Sequence, residues 1–141
     1  MRSITWTILA SCLVCGLLSG CGSSGPKLAK VTGKVTVDGK PVPRADISFT
    51  PNEPGGSPSL GKTDKDGNYH LAFTQEKDGA LIGMHTVSIA SKKISPDEMP
   101  DDGSVVDTKF VAIPKKYQAK GALTAEVKNT SNVIDFKLDT K

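Results

Sequence analysis

Apolar side chains recur at every second position in several segments between Val31 and Leu138. A pattern of period two puts one set of side chains on each face of a β-strand, whereas a helix needs a period of about 3.6. Six strands predicted in this way carry the following inward-facing sets: Val31, Gly33, Val35 and Val37; Ala45, Ile47 and Phe49; Tyr69, Leu71 and Phe73; His85, Val87 and Ile89; Leu123, Ala125 and Val127; Ile134, Phe136 and Leu138. No helical pattern longer than two turns occurs beyond residue 20, so we expect an all-β domain over residues 31–141.

Turn-forming residues separate these strands. Asp38-Gly39-Lys40-Pro41 and Asp64-Lys65-Asp66-Gly67-Asn68 predict tight turns, and Pro51 to Pro58 predicts a longer loop rich in Pro and Gly. A further strand is predicted at Ser59 to Thr63. About seven short strands divided by turns are typical of an antiparallel β-sandwich, in which two sheets each bury one face.

The first twenty residues read as a secretory signal. A positive start, Met1-Arg2-Ser3, precedes an apolar run from Ile4 to Leu18. That run of about 15 residues predicts a short signal helix, since a membrane-spanning helix needs roughly 20.

Leu18-Ser19-Gly20-Cys21, at the end of the signal, resembles a bacterial lipobox at every position. The resemblance implies a thioether link between diacylglycerol and the Cys21 sulfur, cleavage between Gly20 and Cys21, and acylation of the new amine, with palmitate or a similar fatty acid. The membrane thereby becomes a partner through a lipid anchor. Leu9-Ala10-Ser11-Cys12 also fits the pattern, but the apolar run before it is too short for a signal. An uncleaved anchor and a chance match are the remaining alternatives.

A short polar tether, residues 21–30, follows the predicted cleavage site. Nine residues after Cys21 reach at most about 30 Å, so we expect the domain to stay close to its membrane. Gly22, and not Asp, follows Cys21. In this the chain resembles lipoproteins sent to the outer membrane, and we expect the domain to face the periplasm. Cys12 and Cys15 would leave with the signal, which leaves Cys21 as the last cysteine and allows no internal disulfide.

The domain itself resembles the carboxypeptidase regulatory-like domains, which share the transthyretin-like or prealbumin-type sandwich. The resemblance covers about Val31 to Leu138 and rests on four motifs: Gly33-x-Val35-x-x-Asp38-Gly39-x-Pro41-x-x-x-Ala45-x-Ile47-x-Phe49, Thr63-Asp64-x-Asp66-Gly67-x-Tyr69, Gly83-x-His85-x-Val87, and Pro114-x-x-Tyr117 with Leu123-Thr124-Ala125-Glu126-Val127. These motifs imply a seven-stranded antiparallel sandwich and no particular activity.

Several constellations suggest chemistry, and each has a plainer structural interpretation. Asp64 to Asn68 resembles half of a calcium loop, but the twelfth position is Gln75, which favours a hairpin turn. By parity His70 points outward and His85 inward, without the further ligands that a zinc site needs. We therefore expect no metal, no cofactor and no catalytic residues.

Known activities and ligands of similar folds give little further support for an enzyme. Hydroxyisourate hydrolases of the transthyretin-like fold end in Tyr-Arg-Gly-Ser, whereas this chain ends in Leu138-Asp139-Thr140-Lys141. Phe110 and Tyr117 could stack on a sugar, although loop anchoring is the plainer role. Lys34 and Asn132 could form an isopeptide bond, although Lys34 has the outward parity.

The sequence thus predicts an envelope lipoprotein with a non-catalytic structural or protein-interaction module. We expect its contacts to come from the loops Pro51 to Pro58 and Lys92 to Ala122, with an envelope protein as partner. The alternative is a small-ligand or carbohydrate-binding module. The formal charge of +3 is too small for the dense basic face that nucleic acids require.

Overall fold

The predicted alternation appears as alternate burial along the strands. The computed structural model describes residues 25–93 and 110–141, and strands dominate these ranges. There are eleven strands in the described ranges: β1 Leu28–Ala29, β2 Val31–Val37, β3 Lys40–Pro41, β4 Ala45–Pro51, β5 Ser59–Lys62, β6 Asn68–Ala72, β7 Ala80–Leu81, β8 Gly83–Ser91, β9 Leu123–Val127, β10 Asn132–Val133 and β11 Phe136–Leu138. Within the described ranges, one 3-10 turn, Lys115–Tyr117, lies between β8 and β9. The all-β prediction is confirmed.

The inward-facing sets form one core. Val31, Val35, Ala45 and Phe49 have no solvent exposure, and Ile47 has 1%. Branched and aromatic side chains suit this half-buried, pleated surface, which explains why these segments adopt strands. Parity therefore predicted the buried faces of the six strands, except at Phe73. The chain turns away from the sheet after Ala72, so Phe73 is only half-buried and lies outside the core.

Nine strands form a curled sheet in the order β10-β2-β6-β5-β4-β8-β9, with β3 and β11 also paired to β2, whereas β1 and β7 form a separate two-stranded sheet. Phe49 of β4 meets Phe136 of β11 edge to face, with ring centroids 6.1 Å apart. These two strands are far apart in the hydrogen-bonded order, so the contact shows that the sheet curls until its inner faces pack together. The arrangement is sandwich-like.

One part of the predicted topology is wrong, because the final strands run parallel to a neighbour. Asn132 pairs with Val31 and Phe136 with Val35 in parallel register, whereas the sequence predicted antiparallel strands throughout. The physical reason is that β9 ends at the same end of the fold at which β2 begins. The chain leaving β9 through the short turn 128–131 therefore runs beside β2 in the same direction.

The strand directions define two ends of the fold. The entry end, where the described chain begins at Gly25, carries the loops 51–58 and 73–79 and the turn 128–131. The far end carries the turns 38–39 and 63–67, the described residues of 92–122, and the last residues of the chain. The loop 51–58 and the described residues of 92–122, both predicted to bind a partner, thus lie at opposite ends.

The chain joins the β-structure earlier than the sequence predicted. Leu28 pairs with Leu81 and Ala29 with Ala80, and Ala29 is buried. Residues 28–30 are therefore part of the fold, whereas the sequence placed them in the tether and began the domain at residue 31. Two-residue strands are too short to show a period of two, which is why the pattern missed them.

Candidate functional site

The predicted lipidation and cleavage residues, Cys21 and Gly20, lie outside the described residues. What the structure does describe is the point at which the chain enters the fold. The Ile82 backbone N–H donates a hydrogen bond to the Lys27 carbonyl oxygen at 3.3 Å, and the pairing of β1 with β7 follows directly. From Lys27 onward the chain is therefore held against the sheet. No helix in the two described ranges has the length and apolarity to cross a membrane.

An open groove of about 640 Å³ lies beside this entry point. Its walls come from the loop 51–58, the start of β8 and the first described residues. Apolar and polar side chains share the lining: Pro26, Lys27, Glu53, Pro54, Ser57, Phe73, Leu81, Ile82, Met84 and Asn129. One loop predicted to be functional thus forms one wall of this groove.

His85 lies in the core beneath the entry end. It is 1% exposed, its ring centroid is 5.8 Å from that of Phe49, and Nδ1 is 3.1 Å from the Gly83 carbonyl oxygen. This contact assigns the proton to Nδ1 and leaves Nε2 as an acceptor. Nε2 is buried without a hydrogen-bond partner among the described atoms. Burial lowers the pKa of His85, and the hydrogen bond to Gly83 only partly offsets it.

The two histidines are separated by the sheet. His70 is exposed on the outer face of β6, opposite Thr32, whereas His85 is inward, as parity predicted for both. Within residues 25–93 and 110–141, no group of three or more His, Cys, Asp or Glu side chains could hold a metal ion.

The carboxylate of Asp64 serves its own turn. Its Oδ1 accepts hydrogen bonds from the backbone N–H groups of Asp66 and Asn68, both at 2.9 Å, and its Oδ2 accepts one from Asn68 Nδ2 at 3.2 Å. Slight desolvation of this exposed carboxylate opposes ionisation, but these hydrogen bonds outweigh it and lower the pKa of Asp64. Gly67, with φ of 79°, completes the turn. Asp64 to Asn68 thus has the geometry of a hairpin turn, the plainer of the two interpretations given above.

The side chains of Lys34 and Asn132 do not contact each other as an isopeptide bond would require. The Asn132 side chain bonds within its own turn, because its Nδ2 donates to the carbonyl oxygens of Thr130 and Lys128 at 2.7 and 3.0 Å. Asn132 stands beside Val31, three residues along β2 from Lys34. Lys34 is exposed, so neither side chain has the buried pairing that an isopeptide bond requires.

The two remaining aromatic residues have different environments. Tyr117 is half-buried against the core, and its hydroxyl donates to Asp139 Oδ2 at 3.1 Å. The same carboxylate accepts from Lys116 Nζ at 2.5 Å, and these two hydrogen bonds lower the pKa of Asp139. Tyr117 thus anchors its loop to the C-terminal residues. Phe110 is 40% exposed, with Lys93 Nζ 5.3 Å from its ring centroid.

Sequence reasoning missed a close approach between β2 and the link from β10 to β11, which runs alongside it. The Tyr69 hydroxyl donates to the Ile134 carbonyl oxygen at 2.7 Å, and a Cβ placed on Gly33 would lie 1.8 Å from that same oxygen. Burial, with the charge of Asp135, raises the pKa of Tyr69. Gly33 and Tyr69 are both motif residues, but their partner lies about a hundred residues away from Gly33 and has no local signal.

Comparisons with known proteins add no family assignment. No family model matches the chain, and no curated protein matches it. Among solved structures, a 9R-lipoxygenase from Cyanothece PCC8801 matches 79% of this chain and 17% of its own length, at 15% identity and a TM-score of 0.37.

Proposed function

We propose that this protein is a lipid-anchored protein of the bacterial cell envelope. Cleavage between Gly20 and Cys21 would leave Cys21 as the acylated first residue, and the domain would stand at the membrane surface. The observation that carries the proposal is the position of the lipobox tetrapeptide, which ends only six residues before the point where Lys27 is held by the sheet. Because the lipobox ends so close to this domain, no other domain fits between the lipid anchor and the β-structure.

We further propose that the domain is a transthyretin-like sandwich of the carboxypeptidase regulatory-like type. Motif residues of that resemblance have structural roles here: Asp38 and Gly39 take positive φ values of 48° and 77° in the first turn, and Tyr69 ties β6 to Ile134. Because these motif residues form turns and hold strands together, the motifs favour a non-catalytic module over an enzyme. Its contacts would come from loops at the two ends, with an envelope protein as partner.

The groove at the entry end favours a second candidate, the binding of a small ligand or carbohydrate. Its volume of about 640 Å³ falls in the range typical of small-molecule sites. Saturable stabilisation of the protein against heat by a soluble glycan, lost in a Phe73→Ala variant, would support this candidate over a protein partner.

The anchor is tested by metabolic labelling with an alkyne analogue of palmitate in a bacterium that processes lipoproteins. We expect label and membrane association in the full chain and in Cys12→Ser, but neither in Cys21→Ser. Cys12→Ser is the matched control, because it removes the competing lipobox and keeps the signal. Label that follows Cys12, or an unlabelled cytosolic product, would refute the proposal. Cross-linking the acylated protein in intact cells, followed by mass spectrometry, would then identify the partner.

A further inference from the structure

We propose that the entry end of the fold rests on the lipid bilayer, with Met84 and the loop 51–58 in the headgroup region. The inference deepens the proposed function and rests on the acylation of Cys21, to which it adds an orientation and a contact surface. The occupant of this surface is a phospholipid bilayer and not a second protein. Three features of the chain support this.

The first feature is the length of chain between the lipid and the fold. Lys27 is fixed by its hydrogen bond to Ile82. Six residue steps separate Cys21 from Lys27, and they span at most roughly 20 Å. A domain of this size is roughly 35 Å across. The acylated cysteine therefore cannot sit in the bilayer while the far end of the fold faces it.

The second feature is the placement of exposed apolar side chains. Among the described residues, the large hydrophobic side chains that are strongly exposed are Leu60 at 58%, Met84 at 48%, Phe110 at 40% and Val133 at 76%. Of these, Met84 is the second residue of β8 and lies at the entry end. Leu60 pairs with Ser48 in the middle of β4, and Val133 lines a groove shared with Thr63 and Asp64 of the far-end turn, so these two lie away from the entry end. Among the described residues, Met84 is thus the strongly exposed apolar side chain at the end closest to the lipid, where it suits the boundary between headgroups and acyl chains.

The third feature is the mixed character of the groove itself. Lys27 lines it together with Met84 and Pro54, and a Lys stem can lie along apolar surface while its ammonium group reaches a phosphate. Glu53 lies in the same groove, so the local charges oppose each other. The contact therefore depends on apolar side chains more than on charge, and we expect it in neutral as well as in anionic membranes.

The experiment uses the full, acylated chain purified from membranes and returned to phospholipid vesicles. A Met84→Cys variant is labelled with an environment-sensitive fluorescent maleimide, which reaches only the new thiol because the Cys21 sulfur is held in a thioether. Lys65→Cys, in the exposed turn at the far end, is the matched control. Glu53→Cys, in the loop 51–58, provides a second entry-end position should the change in β8 impair folding.

We expect the probes at positions 84 and 53 to emit at shorter wavelength and to lose most of their fluorescence to a headgroup spin-labelled lipid. The probe at position 65 should behave as in water, in vesicles with and without anionic lipid. Equal quenching at both ends, or none at either, in a protein of acylated mass would overturn the orientation and leave the anchor standing. A purified chain without the acyl mass would overturn both, and the mass spectrum distinguishes the two failures.

Discussion

Replacing Gly33 with alanine tests the close approach between β2 and the link from β10 to β11. The new Cβ would lie 1.8 Å from the Ile134 carbonyl oxygen and 2.9 Å from Tyr69 Cε1. Contacts below 3.0 Å do not persist, so the two chain segments must separate by more than about 1 Å. Two hydrogen bonds of Ile134 depend on this approach, one from its N–H to the Thr32 carbonyl oxygen at 2.8 Å and one from the Tyr69 hydroxyl at 2.7 Å.

The magnitude follows from these two effects. Overpacking of this kind costs about 1–3 kcal/mol, and each weakened hydrogen bond costs about 1 kcal/mol. We expect Gly33→Ala to lower the free energy of unfolding by about 3–5 kcal/mol, a large part of the roughly 5–15 kcal/mol typical of a domain. At roughly 4 °C per kcal/mol for this size, Tm should fall by about 10–20 °C.

Urea unfolding of the full chain, followed by circular dichroism, measures this change. Circular dichroism is needed because the sole tryptophan, Trp6, lies in the predicted signal. Gly25→Ala is the matched control, because its Cβ would meet only Lys77 Nζ at 4.0 Å, and we expect a change within about 0.5 kcal/mol. A Gly33→Ala chain within 1 kcal/mol of the parent would refute the steric reasoning.

Three further predictions concern single side chains. His85→Leu should make the free energy of unfolding depend less on pH on the acid side. Because the pKa of His85 is lowered in the fold, the unfolded chain binds the proton more readily, so the parent is fully stable above the ordinary value of 6.5 and loses stability as the pH drops below it. Urea titrations between pH 7.5 and 5.5 measure this, and the same slope of stability against pH in the variant and the parent would contradict it. Tyr69→Phe should cost about 1–2 kcal/mol, since it removes the donor to Ile134, and Tyr117→Phe, whose hydroxyl partner is exposed, should cost less in the same assay. Asp64→Ala should lower the free energy of unfolding by about 0.5–2 kcal/mol, because it removes the acceptor for two backbone N–H groups. The Tm of the parent chain should be the same with calcium and with a chelator, and a calcium-dependent Tm would contradict the hairpin interpretation.

Local pattern determined which face of each strand is buried and where tight turns fall. Parity alone put Phe49 and His85 in the core and His70 outside, because successive side chains of a strand point to opposite faces whatever the rest of the chain does. The Asp38-Gly39 turn is equally local, since its positive φ values depend on those two residues. These properties belong to a few neighbouring residues, so the sequence could show them.

Tertiary structure alone decided what depends on distant partners. The parallel pairing of Phe136 with Val35, the joining of Leu28 to Leu81, and the close approach of Gly33 to Ile134 each bring together residues about fifty to a hundred positions apart. Strand order and direction follow from how the whole sheet curls to bury its inner face, and no local pattern records that. The placement of the loop 51–58 and of the described residues of 92–122 at opposite ends follows from the same global arrangement.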